Sequence, residues 1–444
     1  MSKQYFGTDG VRGTVGSDPM TADFALRLAS AAAQVLVPEG GTVVIGKDTR
    51  LSGYMFESAL EAGFVAAGAD VLLLGPLPTP AIAQMTQEFH ADLGVVISAS
   101  HNPYYDNGIK FFDRSGSKLT DEIEARIEAQ LDNPAITRES QGLGKAKRID
   151  TARIRYQDFC AASVPAGVTL DGLKIVFDGA NGAGYKVGPR TLGALGAEVI
   201  PLGCSPNGRN INDGCGSTAP ELLQLTVPAV RADVGVALDG DGDRLVMVDE
   251  QGRLIDGDQL LFILAMARHE QGTLQGPVVG TVMSNLGLER ALRAKSIEFR
   301  RARVGDRYVL ETLRETGGVI GGETSGHMIV LDKTTTGDGL ICALQILAIM
   351  KQTGRKLSEL VAGMSRYPQS MINVRTAQRL DPAGSPRIGE AVAEVERELA
   401  DSGRVVLRAS GTEPVIRVMV EGEDEKLVRA LAERLAAVVA EAAA

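Results

Sequence analysis

The fold of this chain is decided by a strand–turn–helix–strand pattern, which is clearest in residues 174–200, KIVFDGANGAGYKVGPRTLGALGAEVI. Residues 174–177 begin it as an apolar run, and residues 178–184 form a turn rich in Gly, Asp and Asn. A helical stretch then leads to Leu195, and residues 197–200 form a second short strand. Apolar strands that alternate with helices are typical of a sheet covered on both faces. The stretch therefore predicts a β–α–β unit within an α/β domain.

The same pattern occurs twice more, in residues 43–73 and 278–299. In the first of these, the turn is residues 46–50, Gly-Lys-Asp-Thr-Arg. Gly68 and Gly196 end two of the helices at matching places, where glycine is the favoured stop, whereas the third copy has no glycine there. We favour three related α/β domains over chance recurrence of a common β–α–β pattern.

The C-terminal part follows a different pattern. Residues 370–374, 404–407 and 415–420 predict strands, and residues 388–400 and 424–440 predict helices. We therefore expect three similar α/β domains with mixed sheets, followed by a smaller C-terminal α+β domain. The predicted domains are residues 1–152, 153–252, 253–366 and 367–444.

Composition excludes several classes of partner. The 444 residues carry a formal charge of −10 and no run of Lys or Arg, which argues against a nucleic acid or an anionic membrane. The four cysteines form no CxxC pair, as expected in a reducing cytoplasm. The longest apolar stretches, near residues 260–267 and 340–350, are shorter than the ~18 residues that span a bilayer. We expect a cytoplasmic protein, and the sequence leaves a homodimer open.

Three aspartates separated by glycines follow the apolar run of residues 234–238; they are Asp239, Asp241 and Asp243. Extended backbone places alternate side chains on one side, and the glycines let the loop curl until the carboxylates converge. Because three close carboxylates repel one another, a hard divalent cation is their natural partner, and we favour Mg²⁺. A calcium loop fits less well, because its sixth position holds Arg244 instead of glycine and a strand precedes it. A solvated acidic turn is the remaining alternative.

A serine follows another predicted strand, residues 93–97, in the stretch Ser98-Ala99-Ser100-His101-Asn102-Pro103. The backbone N–H groups of such a turn can face an anion. The stretch does not fit the esterase motif G-x-S-x-G, since Ser98 and Asn102 stand where the glycines belong. A turn stabilised only by its own Ser and Asn side chains is the alternative.

Two further loops carry groups suited to a phosphorylated sugar. Residues 321–327 bring Glu323, Ser325 and His327 together, which could hold sugar hydroxyls and move a proton. The second loop offers guanidinium groups, hydroxyls and a glycine-permitted turn, as a phosphate dianion requires; its residues are Arg408, Ser410, Gly411 and Thr412, with Arg417 on the next strand. Simple polar turns are the alternative for both loops, and Arg417 could equally lie on a strand edge.

Three weaker candidates remain. Residues 6–13 form a Gly-rich turn that carries Arg12, and residues 304–308 form another that carries Gly305 and Asp306. Lys110 lies ten residues beyond Ser100 and could reach the same anion. Such features are more often plain turns or solvated side chains than sites.

Taken together, these loops resemble the α-D-phosphohexomutase superfamily, over essentially the whole chain. Residues 5–13, 98–103 and 304–309 are similar to the branch that acts on glucosamine phosphates, whereas Thr324 departs from it, because many relatives have Gln there. The resemblance implies four domains around a central cleft and a phosphorylated Ser100. It implies that the phosphoserine, Asp239, Asp241 and Asp243 bind Mg²⁺, that Glu323 and Ser325 hold the sugar, and that Arg408, Ser410, Thr412 and Arg417 bind phosphate.

The implied reaction isomerises a phosphosugar. Phosphoserine 100 would donate its phosphoryl group to O1 of glucosamine 6-phosphate, and the resulting glucosamine 1,6-bisphosphate would turn and return its 6-phosphoryl group; this bisphosphate, or glucose 1,6-bisphosphate, would also serve as activator. Because positioning and charge neutralisation govern such transfers, we expect Arg244, Lys110 and Arg12 to assist the metal. The candidates for proton transfer are His327, His101 and Lys110. Gly305 and Asp306 would contact the sugar, Asp306 by pairing with its ammonium group.

Other functions fit parts of the pattern. A phosphomannomutase or phosphoglucomutase would use the same chemistry. A Mg²⁺-dependent phosphatase would hydrolyse the phosphoserine, and a sugar-phosphate sensor would bind without turnover. We favour the interconversion of glucosamine 6-phosphate and glucosamine 1-phosphate, whose product would supply UDP-N-acetylglucosamine and cell-wall precursors.

Overall fold

The structure is a computed structural model that describes residues 4–7, 9–376, 384–409 and 414–442. Within these ranges the strands form a seven-, a five-, a four- and a three-stranded sheet. We refer to the parts of the chain that carry them, in sequence order, as domains I to IV. This arrangement confirms the predicted fold of three similar α/β domains and a smaller C-terminal α+β domain.

The first two domains alternate strands with helices along the chain. Domain I contains β1 (Phe6–Gly7), β2 (Gly10–Thr14), α1 (Ala22–Leu36), β3 (Gly41–Lys47), α2 (Ser52–Ala66), β4 (Ala69–Pro76), α3 (Thr79–Glu88), β5 (Leu93–Ile97), β6 (Asp106–Asp113), α4 (Asp121–Leu131) and β7 (Ala146–Arg148). Domain II contains α5 (Ala152–Ala162), β8 (Lys174–Asp178), α6 (Val187–Ala194), β9 (Glu198–Leu202), α7 (Glu221–Ala229), β10 (Val234–Leu238), β11 (Leu245–Asp249) and β12 (Leu254–Ile255).

The last two domains complete the chain. Domain III contains α8 (Gly257–Glu270), β13 (Val278–Thr281), α9 (Leu286–Arg293), β14 (Phe299–Ala302), α10 (Asp306–Thr316), β15 (Ile320–Gly322), β16 (Met328–Val330), α11 (Gly339–Thr353) and α12 (Leu357–Leu360). Domain IV contains β17 (Gln369–Arg375), α13 (Pro386–Leu399), β18 (Gly403–Ala409), β19 (Val415–Gly422) and α14 (Glu425–Ala442).

The repeated pattern in the sequence corresponds to a repeated sheet. Domains I, II and III share the strand orders β4-β3-β5-β6, β9-β8-β10-β11 and β14-β13-β15-β16. In each order the first three strands are parallel and the fourth is antiparallel to the third. The loop between the third and fourth strands is therefore at the same place in each domain. Those loops are residues 98–105, 239–244 and 323–327, which contain the predicted serine, aspartate and sugar-binding motifs.

One predicted element is displaced. The sequence predicts that the second strand of the third unit spans residues 296–299, but β14 spans Phe299–Ala302. Ser296 has φ +58°, so it takes the left-handed conformation that Gly196 takes in domain II. Ile297 N also donates to Leu292 O, in the same way that Ala197 N donates to Leu192 O. A serine thus performs the turn that elsewhere uses glycine, and sheet pairing resumes only at Phe299.

The cores of the domains are partly shared. One buried apolar cluster runs through domains II and III and reaches one face of the domain I sheet, and separate clusters fill the other face of that sheet and domain IV. Helix α11 crosses the shared core, and its residues from Leu340 to Met350 are all buried. This accounts for the apolar stretch in that part of the sequence.

In the described ranges, no helix combines the length and apolarity needed to cross a bilayer. All four cysteines are free, and Cys160 and Cys342 are buried.

The contact between α1 and α2 gives a test of this packing. Alanine normally stabilises a helix by about 1 kcal/mol relative to glycine. At Gly63 of α2, however, an added Cβ would lie 2.5 Å from Leu26 O and 2.7 Å from Ala29 Cβ of α1. Gly63→Ala is therefore expected to lower the thermal unfolding temperature, because overpacking costs about 1–3 kcal/mol.

The matched control is Gly193→Ala in α6, where nothing lies within 4 Å of the added Cβ. It is expected to leave the unfolding temperature unchanged or to raise it. Differential scanning calorimetry measures both variants. An unfolding temperature for Gly63→Ala at or above that of the unsubstituted protein would contradict the described α1–α2 contact.

Candidate active site

A cavity of about 1070 Å³ lies where the four domains meet. Its lining includes Asp9, Arg12 and Ser100 of domain I, Asp243 and Arg244 of domain II, Gly305, Asp306, Glu323 and His327 of domain III, and Arg408 and Arg417 of domain IV. Lys110, Asp239 and Asp241 are buried beside these residues. The structure thus gathers most of the predicted site residues around one space. Ser410, Gly411 and Thr412 lie outside the described residues.

Ser100 is in direct contact with the aspartate loop. Its hydroxyl Oγ donates a hydrogen bond to Asp239 Oδ2 over 2.6 Å. Nδ1 of His101 lies 3.5 Å from the same hydroxyl. Ser100 has φ +51°, in the left-handed region that residues with a Cβ seldom adopt. The backbone at this serine is therefore held in an unusual conformation that points its side chain from domain I at domain II.

The three aspartates converge as the sequence predicts. One ligand oxygen from each of Asp239, Asp241 and Asp243 lies within 4.8 Å of the others, and all three residues are buried. Oδ1 of Asp241 and Oδ1 of Asp243 have no hydrogen-bond partner among the described residues. Burial and repulsion from the other two carboxylates raise the pKa of Asp239 well above its usual range. Buried, mutually repelling oxygens without donors are what a hard divalent cation compensates, so the trio can hold a metal ion.

The glycines between the aspartates have a structural role. Gly242 N and Arg244 N each donate to Asp239 Oδ1 over 3.1 Å, which curls the loop around that carboxylate. At Gly240 an added Cβ would lie 2.6 Å from Ser100 O. Only glycine lets the aspartate loop approach the serine loop this closely.

Lys110 is the buried cation nearest the trio. Its Nζ donates to Asp241 Oδ2 over 2.8 Å and lies 2.9 Å from Asp9 Oδ2. Burial alone would lower the pKa of Lys110, but the carboxylates of Asp241 and Asp9 outweigh it and raise the pKa. Lys110 therefore stays charged beside the aspartate loop.

Asp306 is already neutralised by a lysine that the sequence did not single out. Lys118 of domain I forms ion pairs with Asp306 and with Asp9. The other oxygen of Asp306, Oδ1, accepts from Arg307 N over 2.8 Å. Asp306 lines the cavity, but these contacts occupy the carboxylate that we expected to pair with the sugar ammonium group.

The two histidines of the motifs have opposite electrostatic settings. Burial, with the nearby cations Arg244 and Arg12, lowers the pKa of His101 to about 4. Burial would also lower the pKa of His327, but Asp243 and Asp306, whose oxygens lie 3.6 Å from its two ring nitrogens, raise it to about 9. At neutral pH His101 is thus neutral and can accept a proton, whereas His327 is charged and can donate one.

The predicted sugar loop is a turn between β15 and β16. Glu323 lines the cavity, and its Oε1 accepts from Gly305 N over 2.9 Å, which joins two of the predicted sugar-binding residues. Thr324 points away and donates to Asp258 Oδ2 over 2.7 Å. Ser325 is exposed and is not among the cavity-lining residues.

Domain IV contributes two adjacent arginines. Arg408 and Arg417 are directly opposite in the β18–β19 pair, and β19 is the central strand of its sheet, not an edge. Burial and the charge of Arg417 lower the pKa of Arg408. Arg408 Nε is buried with no hydrogen-bond partner in the described part of the chain. Like charges facing each other across a sheet are unfavourable unless an anion lies between them, so this pair suits a phosphate group.

Sequence reasoning missed several residues of the cavity. Asp9 is the one acid in the Gly-rich turn that carries Arg12, so a local signal for it existed. Lys118 had no such signal, because its two partners come from distant parts of the chain. Arg303 did have a local signal, because it directly precedes the candidate turn of residues 304–308; its guanidinium lies 3.7 Å from the ring centre of Tyr308 on the cavity wall.

The chain matches four domains of one protein family. The matches are to the phosphoglucomutase/phosphomannomutase α/β/α domain I at residues 3–137, domain II at residues 155–252, domain III at residues 256–367 and the C-terminal domain at residues 371–438.

Known relatives are similar to this chain over its full length. The phosphoglucosamine mutase of Methylococcus capsulatus is 58% identical over 444 residues, which are 100% of this chain and 99% of that protein. The phosphoglucosamine mutase of Azotobacter vinelandii is 56% identical over 445 residues, with 100% of both chains covered. A phosphoglucomutase/phosphomannomutase family protein of Burkholderia thailandensis has a similar solved structure, with TM-score 0.80, 25% identity, and 98% and 97% of the two chains covered. The N-acetylphosphoglucosamine mutase of Aspergillus fumigatus, solved with GlcNAc-6P and magnesium, shares the fold, with TM-score 0.72, 18% identity, and 100% and 96% covered.

The metal site leads to a direct prediction. Asp243→Asn removes one of three anionic oxygen ligands, so it is expected to weaken binding of a single Mn²⁺ ion at least about tenfold. Electron paramagnetic resonance of free Mn²⁺ measures the affinity. The control is Asp332→Asn, because Asp332 carries the same charge, is 43% exposed and pairs with Arg268 outside the cavity. Equal Mn²⁺ affinity in the two variants would contradict the assignment.

Proposed function

This chain belongs to the phosphoglucomutase/phosphomannomutase family, and we propose that within it the chain is a phosphoglucosamine mutase, an isomerase that interconverts glucosamine 6-phosphate and glucosamine 1-phosphate. The observation that carries the proposal is the hydrogen bond of 2.6 Å from Ser100 Oγ to Asp239, inside a cavity that also contains the arginine pair of domain IV. The phosphoglucosamine mutases of similar sequence support glucosamine as the sugar.

The phosphoryl group is carried by Ser100. Asp239, Asp241 and Asp243, joined by the phosphoserine, would hold Mg²⁺, which when bound neutralises the oxygens of the transferring group. The chain supplies further positive charge nearby. Lys110 is anchored by Asp241 and Asp9, and Arg244 and Arg12 line the cavity beside Ser100. Lys110 and Arg12, which pairs with Asp9, are already held by carboxylates before substrate binds, and such orientation is the main requirement for this kind of transfer.

The histidines can divide the proton transfers. Neutral His101, 3.5 Å from Ser100 Oγ, is placed to accept the proton of the Ser100 hydroxyl when that oxygen takes up a phosphoryl group. Charged His327, held between Asp243 and Asp306, is placed to return one to a departing oxygen. Lys110 remains the third candidate, because its Nζ lies 2.8 Å from Asp241 Oδ2 in the aspartate loop.

The shape of the cavity suits a substrate that must turn around. Ser100 and the arginine pair line the same cavity, so one phosphate can react at Ser100 while Arg408 and Arg417 hold the other. The volume of about 1070 Å³ is at the upper end for a small-molecule site. It leaves room for glucosamine 1,6-bisphosphate, the proposed intermediate, to reorient without leaving. Glucose 1,6-bisphosphate would serve as an activator, and the enzyme would act in the cytoplasm.

The proposal predicts a phosphoryl group on Ser100. Intact-mass and peptide analysis of the purified protein is expected to find it there and to show that it exchanges with the isotope-labelled phosphoryl group of added glucosamine 6-phosphate, because each turnover returns the 6-phosphoryl group to Ser100. Ser100→Ala is expected to abolish both the adduct and the mutase activity, whereas Ser115→Ala, at an exposed serine beyond β6, is expected to keep both.

Steady-state kinetics distinguish the other candidate functions. With glucosamine 6-phosphate, kcat/KM is expected to exceed the values for mannose and glucose 6-phosphates at least about tenfold. A reversed preference would make the protein a phosphomannomutase or phosphoglucomutase. Release of free phosphate without an isomer would indicate a phosphatase, and binding without turnover would indicate a sensor.

The arginine pair predicts a change in KM. Arg417→Met removes a charge-assisted contact worth about 1.5–3 kcal/mol, so KM for glucosamine 6-phosphate is expected to rise about 10- to 100-fold, with a smaller change in kcat. Steady-state kinetics measure both constants. Arg387→Met, on the 60% exposed arginine that pairs with Glu441, is the control in the same domain and is expected to leave KM unchanged. An unchanged KM in Arg417→Met would exclude this residue from phosphate binding.

A further inference from the structure

The backbone of Ser100 is held on both sides of the residue. Its N–H donates to Ser98 Oγ over 3.0 Å. Its carbonyl accepts from Arg50 Nη2 over 2.9 Å and from Asn212 Nδ2 over 2.9 Å. Both peptide groups that flank the left-handed φ of +51° are thus fixed by side chains, one from Ser98 of the same loop and two from distant parts of the chain. A conformation that a residue with a Cβ avoids persists only where the surroundings impose it.

Arg50 is the centre of this support. It belongs to the turn after β3, which the sequence presents only as part of the repeated pattern, and it is fully buried. Besides the Ser100 carbonyl, its guanidinium donates to Asn102 O over 2.8 Å and to Pro103 O. Three carbonyls of the serine loop therefore point back at one cation. Arg50, Asn102 and Pro103 are not among the residues that line the cavity.

Asp48 fixes the guanidinium in turn. Its Oδ2 accepts from Arg50 Nε over 2.8 Å, and its Oδ1 accepts from Arg50 N over 2.8 Å. Oδ2 also accepts from the hydroxyl of Ser98, whose oxygen receives the N–H of Ser100. The hydrogen bonds thus form a closed circuit from Ser100 through Ser98, Asp48 and Arg50 back to Ser100.

Asn212 connects the circuit to domain II. Its amide donates to Ser100 O over 2.9 Å and to Asn102 O over 3.1 Å. A Cβ added at Gly240 of the aspartate loop would lie 2.7 Å from Asn212 Nδ2, so that loop packs directly on this amide. The Ser100 carbonyl is thus the point where the serine loop, the residue 46–50 turn and the aspartate loop meet.

We propose that Arg50 and Asn212 are positioning residues for phosphoryl transfer: they bind the Ser100 carbonyl from opposite domains and thereby aim its hydroxyl at Asp239. Neither residue touches the sugar cavity, so they act on the transfer step and leave sugar affinity alone. Arginine is suited to this role because its planar fork reaches several carbonyls and a carboxylate at once, whereas lysine cannot. The kinetic test of this inference rests on the proposed function, whereas the structural test does not.

The test combines two variants and one control. Arg50→Lys keeps the positive charge but loses the planar guanidinium group that donates to several acceptors at once. Asn212→Gly removes the amide without backbone strain, because Asn212 has φ +59°. Asn207→Gly is the control on the same loop, since Asn207 is exposed and its side chain bonds only Arg209 N and no atom of the serine loop. Sugar affinity is measured by calorimetry with glucosamine 6-phosphate in a Ser100→Ala background.

Both variants are expected to lower kcat about 10- to 100-fold, because a misplacement of about 1 Å at a reacting atom has effects of that size. The affinity for glucosamine 6-phosphate is expected to stay within about twofold, and Asn207→Gly is expected to match the unsubstituted enzyme. An unchanged kcat in a folded variant would overturn the proposal, and so would a parallel loss of kcat and sugar affinity. If Arg50→Lys does not fold, Asn212→Gly alone decides by the same criteria.

A crystal structure of Asn212→Gly gives a reading that does not depend on activity. We expect Ser100 to leave its left-handed conformation and Oγ to move away from Asp239 by about 1 Å or more. An unmoved Ser100 would overturn the positioning role even if the enzyme is a mutase. Absence of mutase activity in the unsubstituted protein would instead contradict the proposed function, while this structural outcome would still decide the role of Asn212.

Discussion

The contact between the Ser100 hydroxyl and Asp239 joins two domains at the point where negative charge is most concentrated. Three buried carboxylates in one loop repel one another, and the structure compensates them with Lys110, with backbone N–H groups and with space for a cation. A hydroxyl brought to this place can carry a phosphoryl group whose own charge is then neutralised by the same surroundings. The strained serine backbone and the glycines of the aspartate loop hold the two loops at this contact.

The repeated sheet explains how such a site is assembled. In domains I, II and III the loop after the third parallel strand faces the cavity, so one architecture supplies the serine, the aspartates and Glu323 with His327 from equivalent positions. Domain IV adds Arg408 and Arg417 from its central strand pair. Each domain thus contributes one kind of group to the wall of the same cavity.

The parts of the site that the sequence predicted are local in the chain. The three β–α–β units, the aspartate trio and the loops around Ser100 and Glu323 could be predicted because each is contiguous and its residue types carry the chemistry. The role of Arg50 could not, since it depends on carbonyl groups fifty residues away in the chain. Lys118 was missed for the same reason, and its pairing with Asp306 changes what that carboxylate can bind. The shift of β14 was unpredictable because Ser296 adopts a conformation typical of glycine.

The central claim is that a phosphoryl group on Ser100 and a divalent cation on the aspartate trio are in contact. Electron–nuclear double resonance on the phosphorylated protein loaded with one equivalent of Mn²⁺ measures this directly. A strong ³¹P hyperfine coupling, lost in Ser100→Ala, is the predicted result. Mn²⁺ bound by the trio without ³¹P coupling would contradict the account, because the hydroxyl and the metal would then belong to separate sites.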